Sequence, residues 1–146
     1  MIEDVYNKAI LRLAADIPRL GRLAAPEGTA TAVSKLCGSK VIVDVKLDSQ
    51  GRVADFGHEV KACALGQASS SVMASHVLGA ELAELKALKA QMQAMLQEAG
   101  PAPTGKWAEL EALTPVRDFK ARHASTLLTF EATVAAVEQA LAKAKA

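Results

Sequence analysis

The sequence predicts an α+β fold, in which a small three-stranded antiparallel sheet has its helices packed on one side. Apolar residues recur at helical spacing near the start of the chain and again after residue 63, whereas between residues 40 and 60 they alternate as in strands. The length of 146 residues and the apolar content of 51% fit one domain, residues 1–146, with a buried core.

The first helix is predicted over residues 2–17, where apolar residues recur every three or four positions. Pro18 and Gly21 end this pattern. Residues 40–47 then alternate, with Val41, Val43 and Val45 on one face, which predicts a half-buried strand with Asp44 on its other face. A turn at residues 48–51 leads into a returning strand over residues 52–60, and a shorter strand is predicted around residues 29–33.

The second half of the chain is predicted to be helical. A helix with small side chains follows Cys63 and ends before Gly79, and a longer amphipathic helix spans residues 81–98. Beyond a linker at residues 100–106, residues 107–113 predict a short helix, and residues 120–143 predict a long one.

Charge and composition exclude several classes of function. Seventeen basic and sixteen acidic residues give a net charge of +1, so no strong electrostatic field attracts the chain to nucleic acid or to anionic membranes. The acidic start and the lack of a long apolar run favour a cytoplasmic protein, in which cysteines remain reduced. We find no phosphate-binding loop and no nucleophile with a matched base, so an enzyme is not expected.

The two cysteines are the main candidates for chemistry. Cys37 lies just before the predicted hairpin and Cys63 just after it, so both flank the same end of the hairpin. They are therefore either ligands that share one site or small buried hydrophobic residues, as free cysteines often are. His58, within a strand, and His76, within a helix, have no partners at metal-binding spacing and are expected to be structural or surface residues.

Several motifs resemble the U-type iron-sulfur cluster scaffold family, which includes IscU, SufU and the N-terminal domain of NifU. The resemblance lies in Cys37-Gly38 before the hairpin, Gly51-Arg52-Val53 in its second arm, and Cys63 followed by the Gln-Ala-Ser-Ser-Ser run at residues 67–71. It spans nearly the whole chain and implies an IscU-like or SufU-like fold.

The resemblance also implies a ligand set, which this chain meets only in part. Members hold a nascent cluster or a zinc ion with three cysteines and an aspartate or histidine. Here Ser39 replaces the aspartate after Cys-Gly, and Ala124 replaces the third cysteine in Arg122-His123-Ala124-Ser125. The implied cluster and metal ligands are Cys37, Cys63 and His123.

Three ligands leave a full cluster site in one chain incomplete, because iron-sulfur clusters ordinarily take four. Two routes remain open. A cluster such as 2Fe–2S is shared between two chains in a homodimer, or a three-ligand site is completed by water, a small thiol or a partner.

Three functional hypotheses follow, in this order. The first is a scaffold-like carrier that transiently binds an iron-sulfur cluster, iron or zinc and passes it to recipient apo-proteins. The second is a metal-free interaction protein that docks a cysteine desulfurase. The third is a zinc-dependent sulfurtransferase of the SufU kind.

Overall fold

The computed structural model describes residues 7–35 and 38–145, in which one α-helix, a three-stranded sheet and three further α-helices follow one another in the predicted order. The strands are β1 (Gly28–Val33), β2 (Lys40–Leu47) and β3 (Val53–Lys61). The helices are α1 (Lys8–Ala15), α2 (Ala64–His76), α3 (Leu82–Gln97) and α4 (His123–Lys145), with 3-10 segments at Gly105–Asp118 and Lys120–Arg122 before α4.

The first helix is shorter than its sequence pattern predicts within the described residues. It begins after Asn7, whose side-chain oxygen accepts a hydrogen bond from the Ile10 amide at 3.0 Å. It ends at Asp16, because Ile17 precedes Pro18 and the residue before a proline disfavours helical geometry. The part of the prediction over residues 2–6 lies outside the described residues.

The sheet has the order β1-β2-β3, with both pairs antiparallel, which confirms the predicted architecture. Val43 pairs with Ala30 on one side and with His58 on the other. Val41, Val43 and Val45 of the central strand are fully buried on the face that α4 covers. The predicted strand at residues 29–33 is present and starts one residue earlier.

Helix α4 packs very closely on β1 because of a glycine. A Cβ at Gly28 would overlap the Ala136 carbonyl oxygen of α4 and lie 3.0 Å from the Ala140 side chain. Only glycine therefore lets helix and sheet approach this far. At the strand's edge, Gln139 of α4 accepts a hydrogen bond from the Thr29 amide at 2.8 Å.

The expectation that Asp44 lies on a half-exposed face is wrong. Asp44 is fully buried, because the segment after α1 folds over this face of the sheet. Its carboxylate accepts hydrogen bonds from the Nε and Nη2 of Arg22, at 2.7 and 3.1 Å, from the Leu23 amide and from the Thr29 hydroxyl. Burial raises the pKa of Asp44, but the bonds from Arg22, Thr29 and Leu23 outweigh it and leave the pKa below its usual value.

No helix in the described part of the chain is both long enough and apolar enough to cross a membrane.

Candidate functional site

Cys63 stands at the junction between β3 and α2. It is the N-cap residue of α2, with extended backbone angles (φ −67°, ψ 173°), and its carbonyl accepts the first helical hydrogen bond, from Gln67 at 2.9 Å. Its thiol is free and partly exposed. The position predicted from the sequence is therefore confirmed, and the residue is partly exposed while it packs against the edge of the core.

Two serine hydroxyls lie one behind the other between this sulfur and the protein interior. The Cys63 Sγ lies 3.3 Å from the Oγ of Ser125, and that oxygen lies 3.4 Å from the Oγ of Ser39. Ser125 is fully buried and Ser39 nearly so. We call these three residues the Cys63 cluster. It joins the start of α2, the first turn of α4 and the residue before β2.

Gly66 brings α4 within contact distance of Cys63. A Cβ at Gly66 would lie 2.7 Å from the Ala62 Cβ and 3.1 Å from both the carbonyl and hydroxyl oxygens of Ser125. A larger side chain would therefore push the first turn of α4 away from α2. This glycine sets the distance between the Cys63 sulfur and the Ser125 hydroxyl.

Cys37 lies outside the described residues, so its predicted convergence with Cys63 stays a prediction. The residues on either side of it are closely held. The Ser34 amide donates to the Ser39 carbonyl at 2.8 Å, and the Gly38 amide donates to the Ser34 carbonyl at 2.9 Å. Gly38 has a φ of +70°, a conformation that glycine adopts without strain. Cys37 thus directly precedes a fixed Gly38-Ser39 pair whose serine belongs to the Cys63 cluster.

His123 is the first residue of α4 and is almost fully buried. Its Nε2 lies 2.9 Å from the Val116 carbonyl oxygen and 3.2 Å from that of Arg117, so Nε2 carries the proton and donates it. In the neutral ring Nδ1 then keeps a lone pair, as in histidines whose other nitrogen donates to a backbone carbonyl while they bind metals. The role of His123 as a ligand stays a prediction.

His123 and Ala124 line a groove beside the Cys63 cluster. The groove lies between α3 and the start of α4 and has a volume of about 550 Å³. Ser125, one residue further along α4, faces Cys63 instead. The residues that line the groove are Gln93, Leu96, Gln97, Arg117, Lys120, His123, Ala124, Leu127 and Glu131.

The other two histidines have structural surroundings. His58 is fully buried, its Nε2 lies 2.9 Å from the Pro18 carbonyl oxygen, and its ring packs edge-on against Phe56. Burial lowers the pKa of His58, and the bond to Pro18 only partly offsets this effect. His76 contacts Glu109 at 2.9 Å on the surface. Neither belongs to the Cys63 cluster.

Sequence reasoning missed the role of Ser125. The motif match places Ala124 at the expected cysteine position, whereas in the folded chain Ser125 contacts Cys63. The direction of a side chain on α4 depends on how that helix is rotated against α2 and the sheet, and the chain alone carries no signal for this. Within residues 7–35 and 38–145, no three histidine, cysteine, aspartate or glutamate side chains are grouped as a metal site.

Comparison with solved structures supports the fold and the family. The N-terminal part of a nitrogen-fixing NifU-like protein from Brucella abortus is 56% identical, with a TM-score of 0.93, and the match covers 97% of this chain and 98% of that one. A crystal structure of a hypothetical protein shares the fold at 24% identity and a TM-score of 0.80, over 89% and 94% of the two chains.

A third structure also shares the fold, at 18% identity. It comes from Fervidobacterium islandicum and has been proposed as an iron-sulfur cluster assembly scaffold protein for the SUF system. Its TM-score is 0.82, over 91% of this chain and 96% of that one. No curated protein matches the sequence. The family model described as the NifU-like N-terminal domain matches residues 5–126. The resemblance inferred from the cysteine motifs is thus confirmed, and the chain belongs to the NifU-like N-terminal domain family.

Proposed function

We propose that this protein is a carrier for iron-sulfur cluster assembly, which binds a nascent cluster or a metal ion through Cys63 and Cys37 and passes it to recipient apo-proteins. Family membership supports the general role. The observation that carries the proposal is the partly exposed Cys63 thiol in contact with Ser125 and, through it, with the residue that follows Cys37-Gly38.

The chemistry of the donors fits a cargo that is held weakly. Thiolate sulfur suits iron and zinc, whereas a serine hydroxyl is a weak neutral donor. The chain has two cysteines, so one copy supplies at most two thiolates for a cluster that ordinarily takes four protein ligands. The cargo is therefore incompletely coordinated by one chain, which suits transfer better than permanent storage.

Anaerobic reconstitution tests the proposal. Incubation with ferrous iron and sulfide should produce visible absorption of a bound cluster, and iron and sulfide should remain with the protein after gel filtration. Cys63→Ser should remove both signals. Ser75→Cys adds a thiol on an exposed part of α2 and serves as a control for adventitious binding. A colourless wild-type protein without iron or zinc would contradict the proposal.

The hydroxyls around Cys63 favour one second candidate, a protein that docks a cysteine desulfurase without binding metal. Ser39 and Ser125 occupy the surroundings of the thiol, and neither donates charge to a soft metal. Copurification with the desulfurase should then be unchanged when both cysteines are replaced by serine. Loss of that interaction in the double variant would instead favour a role for the thiols.

A zinc-dependent sulfurtransferase is the third candidate. It requires stoichiometric zinc and a persulfide that leaves the protein on an acceptor. Elemental analysis of protein isolated without air, combined with a persulfide-transfer assay, separates this activity from cluster transfer.

A further inference from the structure

We propose that the surface seam between α3 and α4 docks an acidic peptide segment of a partner protein. Two adjoining grooves form this α3–α4 seam, and Gln93 of α3 joins them because it lines both. None of the three residues of the Cys63 cluster lines either groove. The inference therefore goes beyond the proposed function and does not depend on it.

The two grooves follow one another along one side of the helix pair. The lining residues recur at helical spacing, from Lys86 to Gln97 on α3 and from His123 to Glu138 on α4, so each set lies on one face of its helix. The two helices run in opposite directions here, because the end of α3 shares the first groove with the start of α4, whereas Lys86 contacts Glu138 at 3.5 Å in the second.

The length of the seam determines the size of the segment that fits. Lys86 and Gln97 are eleven positions apart on α3. At about 1.5 Å per helical residue this distance is about 17 Å. An extended chain advances about 3.3 Å per residue, so about five residues fill the seam. The two grooves have volumes of about 550 and 310 Å³, which leaves room for side chains of ordinary size.

Unpaired charges give the seam a positive character. Lys89 lines one end, and Arg117 and Lys120 line the other. Within the part of the chain that the structure describes, none of these three cations lies at ion-pair distance from a carboxylate. Glu131 is the one acidic residue of the seam in the same situation, since the other is paired with Lys86. Three cations against one anion favour an acidic ligand.

Arg117 is the cation that such a ligand satisfies best. Its side chain is half-buried, and among the described residues its one hydrogen bond runs from Nη2 to the Gly100 carbonyl at 3.3 Å. Its Nε is buried without a partner. Leaving guanidinium donors without acceptors costs free energy, and a carboxylate is the acceptor that matches their geometry.

The rest of the seam favours a peptide over a nucleic acid. Its floor is apolar, formed by the buried side chains of Leu96, Leu127 and Val134. The carboxamides of Gln93 and Gln97 can donate to and accept from a peptide backbone. No phenylalanine, tyrosine or tryptophan of the described ranges lines the seam, so bases find no ring of these types on which to stack.

A short synthetic peptide tests the proposal. The probe is a fluorescein-labelled peptide of about six residues in which glutamate alternates with alanine, and fluorescence anisotropy with the metal-free protein measures its affinity. It should bind at least tenfold more tightly than the same peptide with glutamine in place of glutamate, and added salt should weaken it. Equal binding of the two peptides would overturn the inference. Tighter binding of a labelled oligothymidylate would overturn the assignment to a peptide.

Charge variants locate the binding surface. Lys89→Gln and Lys120→Gln, at opposite ends of the seam, should each weaken the acidic peptide about threefold, and the double variant about tenfold, because distant sites act independently. At the junction, Gln93→Glu should weaken binding and Gln93→Lys should strengthen it. Lys8→Gln is the matched control, since Lys8 is exposed on α1, which packs against α2 and the first 3-10 segment. Wild-type affinity in the double variant, or an equal loss in Lys8→Gln, would place the peptide elsewhere.

Reconstitution with iron and sulfide is scored separately, so the two proposals fail independently. A protein that binds a cluster but not the acidic peptide would overturn the docking surface alone. A protein that binds the peptide but stays colourless and free of metal would overturn the carrier proposal alone.

Discussion

Replacing Ser125 by cysteine should convert the Cys63 cluster into a stronger metal site. The Ser125 oxygen already lies 3.3 Å from the Cys63 sulfur. In a tetrahedral site with metal–sulfur bonds of about 2.3 Å, two thiolates lie about 3.8 Å apart. A displacement of about half an ångström therefore suffices for both sulfurs to bind one ion.

The gain follows from exchanging a weak neutral donor for a thiolate. We expect the dissociation constant for Zn²⁺ to fall at least tenfold, which corresponds to about 1.4 kcal/mol. Competition with a chromophoric chelator measures the affinity, and the thiolate absorption of the Co²⁺ complex reports whether the new sulfur is bound. Both measurements use anaerobic, fully reduced protein, because the two neighbouring thiols can otherwise oxidise.

Ser75→Cys is the matched control for this variant. It adds a thiol at an exposed position of α2, away from the contact between Cys63 and Ser125. If Ser125→Cys and Ser75→Cys bind zinc equally well, the position of α4 relative to Cys63 has been described wrongly. The same conclusion follows if the effect of Ser125→Cys persists after Cys63→Ser.

Three further predictions concern the supports of the fold and the site. Gly66→Ala should destabilise the protein by about 1–3 kcal/mol, measured by urea unfolding, and should cancel the zinc gain of Ser125→Cys, because the new methyl group separates α2 from α4. Asp44→Asn should cost about 1–3 kcal/mol at pH 7, because it weakens the hydrogen bonds of a buried carboxylate whose partner Arg22 is itself partly exposed. Because the pKa of Asp44 is lowered, its carboxylate stabilises the fold above the unfolded value of about 3.9, and this stabilisation is lost as pH falls through the folded pKa. The free energy of unfolding of the variant should therefore decrease less than that of the wild type as pH is lowered into the acid range. An equal decrease would argue against the pairing of Asp44 with Arg22. The pKa of His58 is also lowered, so the contribution of its neutral ring to stability is complete above the unfolded value of about 6.5 and declines as pH falls through the folded pKa. The urea midpoints of unfolding at pH 7.5 and 5.5 should therefore differ less in His58→Phe than in the wild type.

Much of the fold was predictable because its signals are local. Alternating valines predicted β2 with its observed bounds, and Gly79 and Pro101 punctuate the ends of α2 and α3. The 3-10 geometry of Gly105–Asp118 was not predicted beyond a short helix at residues 107–113. That segment follows the surface offered by α2 and α3, and Trp107 anchors it with a hydrogen bond to Glu84 at 2.9 Å.

Part of the candidate site was also predictable. The end of a strand followed at once by a helix places Cys63 at an N-terminus, and short-range patterning suffices to locate it. The burial of Asp44 was not predictable in the same way. Its partner Arg22 lies on a segment without regular periodicity, and nothing in the chain indicates that this segment folds back over the sheet.

By itself the sequence determined the element types, the position of one cysteine at the start of a helix and the number of thiols that a single chain can offer. These properties depend on neighbouring residues and on composition. Only the tertiary structure decided that Ser125, and not Ala124, faces Cys63, because two helices far apart in the chain meet there across Gly66. The rotation of one packed helix against another is set by side-chain volume at their contact, and this interaction exists only once the chain has folded.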